Sequence, residues 1–353
     1  MKKVLIIGTM LLFIVVFNYF AQSENGGKNT ARVSQQDMFS VWVSKINGTE
    51  RKLVITDPRR QITHTRVSPD LQWVSFTRYN NYNQNGLAME EGGNYKNTEI
   101  CLMKINGTQL QTIAGPEPGK LNCNSSWSSD SKRIIFMSGS SEGVYLYWYY
   151  IETGEIIKVP TPPHLKFIAD PHEVGDNIVF AVPLPGEESR QGIWMMKYDG
   201  SDCRQVSFPS VVKNAFKMSE RPGDHDARLS PDGSRITALR QVGGAFHIVI
   251  IDVNKGKEID LTEADFPKML QTAEGVADWS SDGKLLIFRH IAMQYDGPKG
   301  IGIYVMKPDG TQRRRIPIPK GEFPYVQPGF FPEGSGPDVR VIYQTIKNAK
   351  LNF

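Results

Sequence analysis

Two short phrases alternate along this chain, and their alternation restricts the fold more than any other feature. The first reads VSPDLQWVSF (67–76), WSSDSKRIIF (127–136), LSPDGSRITA (229–238) and WSSDGKLLIF (279–288), with a worn copy, EVGDNIVF, at 173–180. Each joins a strand-like pair to an apolar, β-branched run through a turn of Ser, Pro, Asp and Gly. The second reads VWVSKING (41–48), ICLMKING (100–107), LYWYYIETG (146–154), IWMMKYDG (193–200), IVIIDVNKG (248–256) and IYVMKPDG (303–310). Each is a β-rich run ending in a Gly turn, and another short strand follows. Asn-Gly and Asp-Gly supply the positive φ of a tight hairpin at low steric cost. Asn47 and Asn106 also open N-x-[ST] sequons, but the return of the phrase as KPDG makes the turn its common purpose.

One period therefore holds four antiparallel strands in roughly 50 residues, the content of a β-propeller blade. The first copy of the second phrase has no inner strand pair before it. The last inner pair, near 325–331 and 339–345, has no outer pair after it. One blade shared between the termini satisfies both, and joining the ends inside a sheet removes exposed edges. The expected fold is all-β: a six-bladed β-propeller of four-stranded antiparallel blades over 39–353, closed by N-terminal outer strands pairing with C-terminal inner strands. A pair of packed sheets is the competing architecture. A short helix is expected at 264–273.

The N-terminus reads MKKVLIIGTMLLFIVVFNYFAQSE. Two lysines, an apolar run and small polar residues form the layout of a signal peptide. The run from Val4 to Phe20 is also long enough to remain as an anchor. Residues 1–23 are thus read as signal peptide or N-terminal membrane anchor, and 24–38 as linker. The body is expected outside the cytoplasm, periplasmic or extracellular, or held at the inner membrane through residues 4–20. The formal net charge of +4 includes Lys2 and Lys3, so the body carries no electrostatic footprint for nucleic acid. Cys101, Cys123 and Cys203 are an odd count without a disulfide framework; one bridge or three thiols both remain open.

IYVMKPDGTQRRRIPI (303–318) and VADWSSDGKLLIFRH (276–290) resemble the WD40-like β-propeller repeat of TolB-type proteins. The resemblance spans about 40–353, with four good copies and two worn ones. It implies the propeller fold and says little of function, since such repeats serve binding scaffolds, peptidase gates and lyases alike. The TolB proteins resembled also carry an α/β domain before the propeller, for which 24–38 is too short. A stand-alone exported propeller is therefore expected, without an implied role in the Tol–Pal system.

The long connections, Tyr79–Glu99, Phe208–Asp224 and Glu263–Glu274, fall where innermost strands begin, so that rim is the candidate binding face. Those strands open in polar residues: THTR (63–66), NCNSS (122–126), ADPHE (169–173), DHDAR (224–228) and GVAD (275–278). Alternation places His64 with Arg66, Asn124 with Ser126, Asp170 with His172, Asp226 with Arg228, and Asp278, toward the mouth of the central channel. His225 falls in the same stretch, so His64, His172 and His225 are read as sharing one slot.

Two readings of these residues stay open. In one, His64, His172 and His225 are candidate ligands for a divalent metal (Mn²⁺ or Ca²⁺), or act as acid and base beside Asp226. The family resemblance then points to propeller lyases that cleave uronic-acid oligosaccharides, with Arg66 or Arg228 suited to an acidic sugar. In the other, the channel is wet and structural, with Asp226 paired to Arg228 and Asp170 to His172, and Asn124, Asp170 and Asp278 offering polar binding groups. GSSEG (139–143) matches a nucleophile-elbow pattern around Ser141, but it lies between two strands without the required helix. The expected function is a monomeric scaffold for an envelope protein or polysaccharide; the alternative is a metal-assisted carbohydrate-active enzyme.

Overall fold

The computed structural model describes residues 38–58, 60–80, 97–184, 187–209, 223–242, 245–262, 273–275, 277–291, 302–324, 327–334 and 336–347. The leader and nearly all of the linker lie outside them. So do most of the three long connections and residues 264–272 of the expected helix; Ala273, at its edge, begins a strand.

Six blades of four antiparallel strands form a ring. Blade 1 comprises Ile62–Val67, Trp73–Tyr79, Thr98–Lys104 and Gln111–Ala114. Blade 2 comprises Leu121–Trp127, Arg133–Ser140, Gly143–Tyr150 and Ile156–Lys158. Blade 3 comprises Ala169–Val174, Asn177–Leu184, Glu187–Lys197 and Arg204–Gln205. Blade 4 comprises Gly223–Leu229, Arg235–Val242, Ala245–Asp252 and Glu258–Asp260. Blade 5 has a split inner strand, Ala273–Glu274 and Asp278–Trp279, followed by Leu286–Ile291, Gly302–Met306 and Arg314–Arg315.

Blade 6 is the shared one. Glu322–Pro324 and Gly329–Phe330 line Arg340–Lys347, which pairs with Met38–Lys45 along its whole length, Met38 opposite Lys347 and Lys45 opposite Arg340. Lys52–Asp57 is the outer edge. The seam is tied by side chains as well. The Arg51 guanidinium stacks 3.4 Å from the Trp42 ring centre, donates to the Tyr343 hydroxyl at 2.9 Å and pairs with Glu322. The Trp42 indole donates to Thr345 Oγ1, which donates on to Glu322, both at 3.0 Å.

Each repeated phrase proves to be a hydrogen-bonding unit. Ser68, Ser128 and Ser230 donate to Asp70, Asp130 and Asp232 at 2.6 Å, and Ser280 to Asp282 at 2.7 Å. The same serine oxygens accept the backbone N–H groups of Trp73, Arg133, Arg235 and Leu285. One hydroxyl thus closes the turn from inner to second strand. In the other phrase, Asn47 Oδ1 accepts the Thr49 amide at 2.9 Å and its hydroxyl at 2.6 Å, with Gly48 at φ 81°. Asn106, Asp199 and Asp309 repeat this.

The core lies between blades. Phe76, Phe136, Phe180, Phe288 and Tyr343 hold one position on the second strand of five blades, and all are buried. Trp127 and Trp279 fix neighbouring blades by polarity too: their indole N–H groups donate to the carbonyls of Arg66 (3.2 Å) and Arg228 (3.0 Å) one blade back. They belong to the blade-packing core. The cysteines are free thiols, Cys101 and Cys123 buried and Cys203 half-buried. Ser141 sits in the hairpin turn between two strands of blade 2, so no nucleophile elbow forms.

Candidate functional site at the propeller axis

The inner strands are not regular. Each of the first four shifts register by one residue against its neighbour, between Thr63 and Arg66, Cys123 and Ser126, Ala169 and His172, and His225 and Arg228. The first residue of each bulge has positive φ: His64 51°, Asn124 55°, Asp170 53° and Asp226 57°. That left-handed region is strained for any residue with a Cβ, and is tolerated best by Asn, Asp and His. The residue types at these positions are therefore partly a backbone requirement.

The bulges aim side chains at the axis. Asn124 of blade 2 bonds Asp170 of blade 3. Gln327 of blade 6 donates to Asp226 of blade 4 at 3.2 Å, and its Oε1 accepts from Arg228 at 3.4 Å. The charges of Asp226 and Arg228 act on His64, on the opposite blade, as only groups near the axis can. The expected pairs therefore converge, in two layers. His64, Asn124, Asp170, Asp226 and Gln327 form the first; Arg66, Ser126, His172, Arg228 and Asp278 form the second.

The three histidines occupy three different register positions rather than one. His64 opens a bulge, His172 lies in the second layer, and His225 precedes a bulge. The within-strand pairs Asp226–Arg228 and Asp170–His172 give way to bonds across blades and between neighbours. His225 Nδ1 donates to Asp226 Oδ2 at 3.0 Å, and its ring meets Phe246 edge-on. His172 Nδ1 accepts the Leu229 amide at 3.0 Å, which leaves the proton of the neutral ring on Nε2. Asp278 accepts the Phe330 amide at 3.4 Å.

Electrostatics separate the histidines. Burial, with Arg66 and Arg228 nearby, holds His64 at about 3 despite Asp226, and pushes His172 well below its ordinary value. Burial also pulls on His225, but the bond and charge of Asp226, with Asp170 and Asp224 behind it, raise it overall. Two neutral imidazoles and one that favours its charge result from three environments within one ring.

Asp170, His225 and Asp226 can each offer a ligand atom within 4.8 Å of one another. Two carboxylates and one imidazole suit Mn²⁺ or Ca²⁺ better than a soft metal. Of the three histidines expected as ligands, His225 belongs to this group; the carboxylates supply the rest. Gln327 was not expected. It lies four residues before Phe331 as Asp226 lies four before Ser230, but blade 6 lacks the Ser–Asp turn from which the other positions are counted.

Such a ring defines a class: a closed six-bladed β-propeller with a buried, charge-bearing axis. In fold the ring is similar to TolB-type propellers. The crystal structure of TolB from Acinetobacter baumannii matches with TM-score 0.55 at 13% identity, over 94% of this chain and 68% of that one. A nidogen/laminin complex structure matches with TM-score 0.50 at 10% identity, over 78% and 91%. An oligogalacturonate lyase in complex with manganese matches with TM-score 0.47 at 11% identity, over 85% and 81%. At these identities the likeness is one of fold. No protein-family model matches the chain, and no curated protein does.

Proposed function

We propose that the protein is an exported binding scaffold: a rigid monomeric propeller, periplasmic or extracellular, that engages a protein or polysaccharide of the bacterial cell envelope on the rim where its inner strands begin. One observation supports this above others. The axial side chains are buried and largely fixed within the ring. His64, Arg66, Asn124, Asp170, Asp226 and Arg228 are all under 9% exposed; the Asn124–Asp170 bond and the bonds of Gln327 to Asp226 and Arg228 cross between blades, while His64 and Arg66 bond within their own strand. A centre fixed in this way lends stiffness to the ring and leaves recognition to the rim. The test is incubation of the full chain with envelope polysaccharides and oligouronides in the presence of Mn²⁺. Binding without turnover is the expected result; unsaturated sugar ends in the products would overturn it.

The second reading rests on the Asp170–His225–Asp226 group. Its donors fit a divalent cation, which would polarise an acidic sugar for metal-assisted lyase chemistry while a neutral axial histidine takes a proton. Melting temperatures with Mn²⁺, Ca²⁺ and Zn²⁺ against EDTA test it, because an ion bound to the folded state alone raises stability by mass action. A rise that disappears in Asp226→Asn supports the metal centre; equal melting with and without each ion removes it.

A further inference from the structure

The second axial layer holds two arginines with nearly identical surroundings on opposite blades. Arg66 of blade 1 donates through Nη1 to the Thr65 carbonyl at 2.9 Å, and Arg228 of blade 4 to the Ala227 carbonyl at 2.8 Å. The carbonyl of each is itself held by an indole, Trp127 for Arg66 and Trp279 for Arg228. The tryptophans thus hold the main chain of each arginine, main-chain carbonyls hold the guanidinium groups, with Gln327 beside Arg228, and both side chains are buried, at 8% and 4% exposure. Yet Nη2 of Arg66 and Nε of Arg228 are buried without a hydrogen-bond partner. An unmatched guanidinium N–H inside a protein is costly, and here two occur in one layer.

Their charges oppose each other. After burial, Arg228 is the largest influence on Arg66 and lowers it, ahead of the support from Asp278 and Asp226, to about 10. Packing two cations together without ion pairs of their own is unfavourable unless an anion joins them. Gly329 of blade 6 supports this use of space. A Cβ there would lie 3.3 Å from both Arg66 Nη1 and Asp278 Oδ2, so the smallest residue stands where the layer is tightest. His172, in the same layer, carries its proton on Nε2 as a further neutral donor.

We propose that Arg66 and Arg228 form a site for one carboxylate of a small acidic ligand, entering along the propeller axis. The planar guanidinium fork matches a carboxylate in two parallel bonds. Charge selects a monoanion over a dianion. Asp170, Asp226 and Asp278 place three negative charges around the two positive ones, so a dianion such as phosphate meets more repulsion. A divalent cation held by Asp170, Asp226 and His225, the last neutral as its ligand, would leave one net positive charge with His64 and His172 neutral, and one carboxylate would balance it. Without the cation these groups sum to one negative charge, against which the two guanidinium forks alone hold the carboxylate, so binding is weaker there; no residue is shared between the two sites, and the scaffold reading is untouched by the failure of this one.

The experiment is isothermal titration of the full chain with sodium galacturonate, galactose, acetate and inorganic phosphate at matched ionic strength, in EDTA and again with Mn²⁺. Galacturonate and acetate are expected to bind in EDTA, more tightly with Mn²⁺, while neutral galactose does not bind. Arg66→Gln and Arg228→Gln are each expected to weaken galacturonate by about tenfold or more, the equivalent of one charge-assisted bond. Arg66→Lys keeps the charge, loses the fork and should weaken binding less than Gln does; its unfolding curve checks that the ring is intact. Galactose binding as well as galacturonate, phosphate outcompeting both carboxylates, or unchanged binding in a folded Arg66→Gln, Arg228→Gln double variant would each overturn the proposal.

Discussion

Lowering the pH from 7 to 5 should destabilise the ring through His64, and the size of the effect can be worked out. The ring is buried, Thr63 Oγ1 lies 2.8 Å from Nδ1, and the folded-state value is about 3 against 6.5 for a free histidine. A depressed histidine is neutral in the folded state, while the unfolded chain takes up a proton as the pH falls below 6.5. Its contribution is therefore complete above pH 6.5 and is lost as the pH falls toward 3. Between pH 7 and pH 5 the loss is about 2 kcal/mol from this residue alone, close to a 30-fold change in the folded-to-unfolded ratio. His172 acts in the same direction. His225 acts in the opposite one: its raised value adds stability that is complete below pH 6.5 and is lost as the pH rises through the folded value.

The comparison that isolates His64 is the native chain against His64→Asn, since asparagine also tolerates the left-handed backbone at 64. Urea unfolding at pH 7, 6 and 5, in EDTA to remove any cation, should give curves whose separation changes by about 2 kcal/mol across the range, the native chain losing more. Contributions from His172 and His225 are common to both proteins and cancel. Parallel stability profiles would refute the reasoning, because they would mean that His64 is protonated or solvated in the folded state.

Three further outcomes follow from the geometry. Ser230→Ala removes the donor to Asp232 and the acceptor of the Arg235 amide; a loss of about 1–2 kcal/mol is expected by chemical denaturation. The Asp232 carboxyl should also rise from about 2 toward the ordinary range in an NMR titration, since the Ser230 bond is its largest influence. Trp279→Phe removes the indole bond to the buried Arg228 carbonyl and leaves it the longer one from the Thr237 hydroxyl at 3.4 Å, and should cost about 1 kcal/mol in the same assay. Glu322→Gln weakens the seam through Arg51 and Thr345, and hydrogen exchange should quicken along Met38–Lys45 and Arg340–Lys347 before other blades respond.

The blades were legible because their turns are made by side chains that recur at fixed spacing. Ser230 and Asp232 close a turn by their own chemistry, as do Asn47 and Thr49, so the letters carry the geometry. The shared blade was legible from the unmatched strand pairs at the two ends. The axial pairs were legible from alternation, but their partners were not. Asn124 meets Asp170 and Asp226 meets Gln327 across gaps of 46 and 101 residues, and nothing local encodes which blades face each other. The bulge was hidden as well. It leaves only a faint trace: a residue type that tolerates positive φ, four positions before Ser68, Ser128, Val174 or Ser230. That trace bears on function. A left-handed residue with a Cβ costs roughly 1–2 kcal/mol, and glycine would relieve it at all four positions. The chain instead places His64, Asn124, Asp170 and Asp226 there, each bonded or charge-coupled at the axis. The strain is retained for the side chains, so their removal to glycine should relax the backbone while emptying the axis. A glycine variant at Asp170 or Asp226 that lost cation binding while keeping its stability would separate the two roles within one residue.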